Sequence, residues 1–374
     1  MIRIASGKIL ALILALAVGL VFTTFSGENP LHVLQILARS AFGSPYDFGM
    51  TLSFAVPLVF VGLSVATAFQ SGLFNIGAEG QLNIAAITAV IFGVCFPGLP
   101  FPLAPLGAAL AAMTAGAAWA GIAGWIRAKR GGHEVIVTIM LNFIAAAICS
   151  WLTLNPLKNT SSQYPETLEL ASAYRFSFWS FFQGAPVGPM LGVAAFALGV
   201  MGIMFFRTRL GFVLRSVGQN ETACEFSGIN PARIKITAMM WAGALAGMVG
   251  VAEVLGNAGK YRLEFSPGYG FLGIAVALLG GNHPIGILFS ALLFGALHKG
   301  ASDLDLETER VTREVSDIFQ ALIILFVSAQ FQISWREPLL KLPARWGGRS
   351  RSGDLRQCES TAPSRMRRGG RKRA

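Results

Sequence analysis

Eight uncharged stretches of this chain are each long enough to cross a lipid bilayer. They are residues 9–25, 48–78, 80–126, 135–157, 176–206, 236–252, 265–298 and 318–335. A membrane-spanning helix needs roughly 17–25 apolar residues. Lipid accepts only helices or closed barrels, because every backbone polar group must find a partner within the protein. No strand-period alternation accompanies these runs, so the sequence predicts an all-α polytopic membrane protein.

Charge content supports this class. Charged residues make up 13% of the chain, against about 25% in soluble domains, which excludes most cytosolic enzymes. The formal net charge of +11 is concentrated at one end, since residues 336–374 hold 12 Lys and Arg against three acidic residues. We therefore expect a transmembrane domain over 1–335 and a basic, disordered tail over 336–374 that anchors topology and contacts anionic lipid rather than nucleic acid.

Glycine and proline divide the longer runs into individual helices. Eight full spans are predicted, near 9–25, 50–70, 73–95, 101–126, 134–154, 188–206, 236–256 and 316–334. The run 265–298 is cut at 280–284 into two arms that are too short to cross comfortably, so it forms two tilted spans or a re-entrant hairpin. The total is about ten segments, with both termini on the cytoplasmic side.

Ten segments divide into five and five, and an odd number in each half is the arithmetic of an inverted-topology repeat. Glycine-interrupted stretches occur at corresponding places in the two halves, over 72–80 and over 256–270. Paired broken segments of this kind point to a translocation site.

Polar side chains within these apolar runs are the candidate pathway residues. Asn75, Glu79 and Gln81 follow the second predicted span, and Thr138 and Asn142 share one face of the fifth. Polar groups are costly in lipid and need a reason to be there. They either contact a translocated solute or satisfy backbone groups and neighbouring helices by hydrogen bonds, and the sequence leaves both interpretations open.

A polar loop over 207–235 contains the pattern of a short capped helix. Asn220 is a favoured N-cap, Glu221 suits the first turn, and Gly228 can take the left-handed conformation after the last turn. Ala223 and Phe226 would then project apolar groups, either into a groove on a partner protein or back against the membrane domain.

Catalytic and metal motifs are absent. The pair His133-Glu134 begins a zinc-protease motif, but Val137 occupies the position of the second histidine. No phosphate-binding loop of the G-x-x-x-x-G-K-[ST] type occurs, so any ATP must be bound by another chain. The sequence predicts a non-catalytic protein without a cofactor, and the four cysteines indicate neither a metal site nor a disulfide framework.

Several motifs resemble those of one known family. They are GLFNIGAEGQ at 72–81, GHEVIVTIMLN at 132–142, RSVGQN at 215–220, SGI at 227–229 and PGYGFLGIAVALLG at 267–280. Over residues 50–335 the chain resembles the permease subunits of bacterial ABC importers of the ribose/branched-chain amino acid permease superfamily, in the simple sugar and nucleoside branch.

The resemblance implies a function and a set of partners. It implies a subunit of the bacterial plasma membrane that forms the path for a nucleoside or simple sugar, together with a second permease, a cytoplasmic ATPase and an external solute-binding protein. It assigns ATPase coupling to seven residues of the polar loop: Gly218, Gln219, Asn220, Glu221, Ala223, Phe226 and Gly228. The alternative function is an ion-coupled secondary transporter, for which Glu79, Glu134 and Glu253 would be the titrating groups.

Overall fold

Thirteen α-helices build the part of the chain that the computed structural model describes, residues 2–25, 27–308 and 314–329. They are α1 (Ile2–Phe25), α2 (Pro30–Phe42), α3 (Pro45–Gln70), α4 (Ala78–Cys95), α5 (Leu103–Arg130), α6 (Glu134–Leu154), α7 (Pro189–Arg207), α8 (Arg209–Gln219), α9 (Glu221–Phe226), α10 (Pro231–Val251), α11 (Tyr269–Gly280), α12 (Pro284–Glu307) and α13 (Glu314–Ala329). A π-helix over Ala252–Ala258 extends α10. The predicted tail over 336–374 lies outside the described residues.

Seven of these helices are long and apolar enough to cross a membrane, namely α3, α4, α5, α6, α7, α10 with its π-helical extension, and α12. Three shorter apolar segments accompany them, Leu10–Phe25, Tyr269–Gly280 and Asp317–Val327. No β-strand occurs among the described residues, which contain two isolated bridges in the loops. The all-α polytopic class is confirmed, and the number of spans remains a prediction.

Local sequence sets several of the helix starts. Ser44, Asn230 and His283 each accept a hydrogen bond from a backbone N–H of the first turn, and each is followed by proline. Proline suits the first helical position because it has no N–H to leave unpaired and its φ is already helical. Each of these three helices therefore begins with a capping side chain, followed by a proline whose φ angle is already helical.

The prediction of two short arms over 265–298 is wrong for the second arm. α11 is short, with 12 residues, but α12 has 24 and continues to Glu307. The helix runs past the charged Lys299 because that ammonium group is buried against Asp47 at 3.4 Å and Asp303 at 2.5 Å. Because its charge is paired with two carboxylates, Lys299 can be buried within the helix, and α12 continues beyond it.

Two further boundaries differ from the sequence prediction. The third span was expected to begin at 73, but α4 begins at Ala78, because residues 71–77 form an irregular connection. The helix α2 was not predicted. It is short and amphipathic, and it buries Val33, Ile36 and Leu37.

The core is centred on α3 and on α10 with its π-helical extension. In the most apolar 18-residue stretch of each, 78% of the residues are buried, against 17–28% in the corresponding stretches of α5, α6 and α7. α3 and α11 run in the same direction, since Gly273 lies against Val61 and Gln70 donates to the carbonyl of Asn282. α10 packs antiparallel to α5, with Gly116 against Gly243 and Gly124 against Met239. The two central helices are each followed by an irregular segment and a new helix, α4 or α11.

Candidate functional site

The break between α3 and α4 is held together by side-chain amides. Asn75 and Gln81 are fully buried and exchange two hydrogen bonds, from Asn75 Nδ2 to Gln81 Oε1 at 3.2 Å and from Gln81 Nε2 to Asn75 Oδ1 at 3.0 Å. Asn75 Oδ1 also accepts from the backbone N–H of Gly77 at 3.0 Å. These amides provide partners that the irregular backbone lacks in an apolar environment.

The predicted stripe on α6 faces this break. Asn142 Oδ1 accepts from the backbone N–H of Gly80 at 2.9 Å, and its Nδ2 donates to the carbonyl of Ile76 at 3.0 Å. Thr138 is buried beside Gly77, but its hydroxyl donates to the carbonyl of Glu134 within its own helix at 2.8 Å. Asn142 therefore joins two elements, and Thr138 fills space between them.

Glu79 connects the two halves of the chain. Its Oε2 accepts from the backbone N–H of Gly270 at 2.7 Å, in the first turn of α11. Glu79 itself lies in the first turn of α4, so the N-termini of α4 and α11 meet at this carboxylate. Each N-terminus carries a partial positive charge of about half a unit, and one carboxylate lies within reach of both.

A second polar group, which was not among the predicted pathway residues, consists of Glu253 and Asn257 of the π-helix and Tyr269 of α11. Glu253 Oε1 accepts from the hydroxyl of Tyr269 at 3.1 Å, and its Oε2 accepts from Nδ2 of Asn257 at 3.0 Å. The signal that could have found it is the same as for Glu79, namely an acidic residue inside a predicted span. Tyr269 precedes Gly270, so this group adjoins the point where the N-termini of α4 and α11 meet.

A cavity of about 270 Å³ lies beside this group. Its lining consists of Glu253, Val254, Asn257, Ala258, Lys260, Arg262 and Phe265. Such a volume is near the lower end of the range for small-molecule pockets. The five predicted pathway residues are not part of this lining.

Two loops are joined next to the cavity by Glu166. This buried carboxylate binds Lys260 at 2.7 Å and Arg262 at 3.2 Å. The hydrogen bond from Lys260 holds the pKa of Glu166 below its ordinary value, against the opposing effect of burial, and Arg262 contributes in the same direction. The backbone of Thr167 also donates to the carbonyl of Tyr261 at 2.9 Å, so the loops over 155–188 and 259–268 form one surface.

The short helix predicted in the polar loop is α9. Asn220 Oδ1 accepts from the backbone N–H of Ala223 at 3.0 Å. At the other end Gly228 has φ +79° and donates to the carbonyl of Glu225, while Ile229 donates to that of Cys224. This pair of bonds is the Schellman arrangement, so both ends of the six-residue helix are fixed.

α9 presents one large apolar side chain to its surroundings. Phe226 is 90% exposed, Ala223 is also exposed, and Cys224 is buried beneath them. Glu221 forms an ion pair with Lys235 of α10. The helix is thus attached to the membrane domain through one face and leaves Phe226 free of it.

Gly218 and Gln219 are part of α8, the helix that precedes α9, rather than of an irregular loop. A Cβ atom on Gly218 would lie 2.9 Å from the nitrogen of Gly72 and 3.1 Å from the carbonyl carbon of Gln70. Such distances are too short for a side chain. The backbone of α8 therefore packs directly on the connection that leads from α3 to the buried amides.

The comparison with known protein families is decisive for classification. The model of the branched-chain amino acid transport system / permease component family matches residues 48–328. The chain belongs to this family. The matched region includes most of α3 and all of α4 to α12, and with them the polar break, the cavity and the helices α8 and α9.

Curated relatives agree with this membership. The chain is 36% identical to the guanosine ABC transporter permease protein NupP of Bacillus subtilis, over 87% of this chain and 93% of the relative. It is 33% identical to the glucose ABC transporter permease protein TsgB13 of Haloferax volcanii, over 85% and 86% of the two chains. A second guanosine permease of Bacillus subtilis, NupQ, is 28% identical over 66% and 78%. No solved structure matches the chain.

Proposed function

We propose that this permease-family chain is a non-catalytic subunit of an ATP-driven importer and forms the path for a nucleoside or simple sugar. The named activities of its relatives, guanosine and glucose transport, support this solute class. The solute reaches the chain from an external solute-binding protein. A separate cytoplasmic ATPase hydrolyses the ATP.

The observation that carries this proposal is the exposed Phe226 on a helix that is capped at both ends. A rigid short helix with a single large apolar side chain fits a groove on a partner at little cost in conformational entropy. We assign this partner as the ATPase. The basic cluster Arg127, Lys129 and Arg130 then lies on the same, cytoplasmic side, as do both termini of this multi-pass chain in the bacterial plasma membrane.

The path of mechanical coupling follows from the contacts of α8. When ATP binding moves the ATPase, α9 moves with it, and the direct contact of Gly218 with Gln70 and Gly72 passes the displacement to the break before α4. Hinge and shear movements of packed helices are the usual means of switching access. The N-termini of α4 and α11, which meet at Glu79, separate, and a passage opens between them.

The predicted pathway residues take part by shaping this passage. Asn75, Gln81 and Asn142 hold the broken backbone in its closed form, Thr138 supports it, and Glu79 joins the two halves. When the halves separate, the hydrogen-bonding groups that these contacts release become available to the hydroxyl groups of a passing solute.

The chain acts with a second permease. Two different relatives of this chain, NupP and NupQ, come from one bacterium and carry the same named activity, which supports a heterodimer of related subunits. The weakly buried faces of α5, α6 and α7 supply surface for both the partner and membrane lipid.

The substitution Phe226→Asp tests the assignment of α9. A charge forced into an apolar groove loses its hydration without a partner, so we expect the importer to reach the membrane normally but to lose its ATPase on purification and its solute uptake. The matched control is Glu225→Gln on the neighbouring exposed position. Full uptake and full ATPase recovery with Phe226→Asp would contradict the assignment.

A transport assay on the isolated chain distinguishes the proposed ATP-driven importer from the alternative, an ion-coupled secondary transporter. Vesicles that contain this chain alone, with a proton gradient and without the ATPase, should accumulate neither labelled guanosine nor labelled glucose. Accumulation under these conditions would establish an ion-coupled secondary transporter instead.

A further inference from the structure

We infer that Glu253 and Asn257 bind adjacent hydroxyl groups of the solute, the vicinal diol of a ribose or hexose ring, in the cavity beside the π-helix. This inference rests on the proposed function, because it takes the transported solute as the ligand. It adds a specific site, distinct from the predicted pathway residues, at which the chain itself recognises the solute.

The hydrogen-bonding capacity of the group exceeds its internal use. An ionised carboxylate offers about four acceptor positions, and Glu253 uses one for Tyr269 and one for Asn257. The Asn257 side chain keeps a second N–H and its carbonyl oxygen. One carboxylate and one amide, each with free capacity and both lining the cavity, can accept from one hydroxyl and donate to the next.

Backbone geometry places the two side chains together. Glu253 and Asn257 are four residues apart within the π-helix, and turns of this type occur frequently at functional sites. Their separation is fixed by the direct bond between them, and Tyr269 fixes the other carboxylate oxygen from α11. The group is therefore preorganised before a solute arrives, which lowers the cost of binding.

The charge of the cavity favours a neutral solute. Lys260 and Arg262 line it, but both are paired with Glu166. Neither cation is therefore unpaired, and the second carboxyl group in the lining, Glu253, disfavours a phosphate or a carboxylate further. Val254, Ala258 and Phe265 supply an apolar wall for the face of a sugar ring or a base.

The location links this site to the gate. Tyr269, which donates to Glu253, directly precedes Gly270, which donates to Glu79. A diol that binds to the free acceptor positions of Glu253 shares this carboxylate with the Tyr269 hydroxyl. Solute binding and the position of the α11 N-terminus are therefore coupled through adjacent residues.

The experiment compares solutes with and without one hydroxyl in the complete importer. Proteoliposomes that contain both permeases and the ATPase receive the binding protein and either guanosine or 2′-deoxyguanosine, and in parallel either glucose or 2-deoxyglucose. Uptake is measured for the wild type, for Glu253→Gln and for the control Glu264→Gln, which changes an exposed residue of the 259–268 loop outside the cavity lining. The contribution of the binding protein is identical in all three and cancels from the comparison.

Loss of a hydrogen bond to a charged group corresponds to a change of about tenfold or more. We expect Glu253→Gln to reduce uptake of the complete solute by at least about this factor and to leave uptake of the deoxy analogue nearly unchanged. The preference for the complete solute then falls, whereas Glu264→Gln retains it. Asn257→Ser gives the same readout with an intact carboxylate, should the first variant fail to assemble.

Other results would overturn the inference. An equal fall for both members of a pair would show a structural role, and unchanged uptake of both would show no role in recognition. If the wild-type importer transports none of the four solutes in an ATP-dependent way, the proposed function fails. If it transports one pair and the variants keep the wild-type preference, only the diol site fails.

Discussion

Replacement of Asn142 by leucine removes the connection between α6 and the break before α4 while keeping the number and branching of the side-chain heavy atoms. The Asn142 amide satisfies the N–H of Gly80 and the carbonyl of Ile76. Leucine can do neither, so both backbone groups lose their partner.

The size of the effect follows from these two bonds. An unsatisfied buried donor or acceptor costs about 1–3 kcal/mol. Hydrogen bonds between helices in membranes fall near the lower end of such ranges, and Asn142 is only partly buried. We therefore expect a loss of about 2 kcal/mol in unfolding free energy, roughly 1 kcal/mol for each group.

The control lies one turn earlier on the same helix face. Thr138→Val removes a hydroxyl whose bond stays within α6, leaves no other element unsatisfied, and should change stability by less than about 0.5 kcal/mol. Thermal unfolding of the purified variants in detergent, followed by the loss of monodisperse protein, ranks the two substitutions. Equal midpoints for Asn142→Leu and the wild type would refute the idea that this amide holds the break together.

Two further predictions concern other contacts. Gly218→Ala places a methyl group against the backbone of Gly72, and this overpacking should lower the free energy of unfolding by about 1–3 kcal/mol. It should also lower the amount of solute taken up per ATP hydrolysed, and a normal ratio of uptake to hydrolysis would contradict the coupling path. Glu166→Gln removes a carboxylate whose pKa is lowered by the Lys260 hydrogen bond. The wild type should exceed this variant in stability above about pH 4.3, and the difference should vanish as pH falls through the lowered pKa of Glu166; a pH-independent difference in denaturation midpoint would contradict the ion pair.

Features that depend on neighbouring residues could be predicted from the sequence. The cap at Asn220 and the left-handed Gly228 each follow from the chemistry of a few adjacent positions, and both are found. The all-α membrane class follows in the same way from the length of the apolar runs. These conclusions need no knowledge of distant contacts.

Features that depend on distant partners could not be predicted. Asn142 lies 66 residues from Ile76, and Glu79 lies 191 residues from Gly270, so the sequence left open whether their polar groups meet backbone or solute. The length of α12 was missed because Lys299 was taken to end the apolar run, whereas Asp47 from a separate helix neutralises it. Glu253 was named only as a titrating group of the alternative function, because its bonds to Tyr269 of α11 and to Asn257 are visible only in three dimensions.

The meeting of the α4 and α11 N-termini at one carboxylate has a consequence for ion leakage. While the two ends lie together, as in this structure, the Glu79 carboxylate offsets their partial positive charges, so the pair of termini does not attract chloride or phosphate. In the opening movement proposed above, Glu79 would stay on α4 and the α11 terminus would lose its counter-charge. The exposed positive end would then repel cations, which would limit their leakage through the open passage during each cycle of uptake.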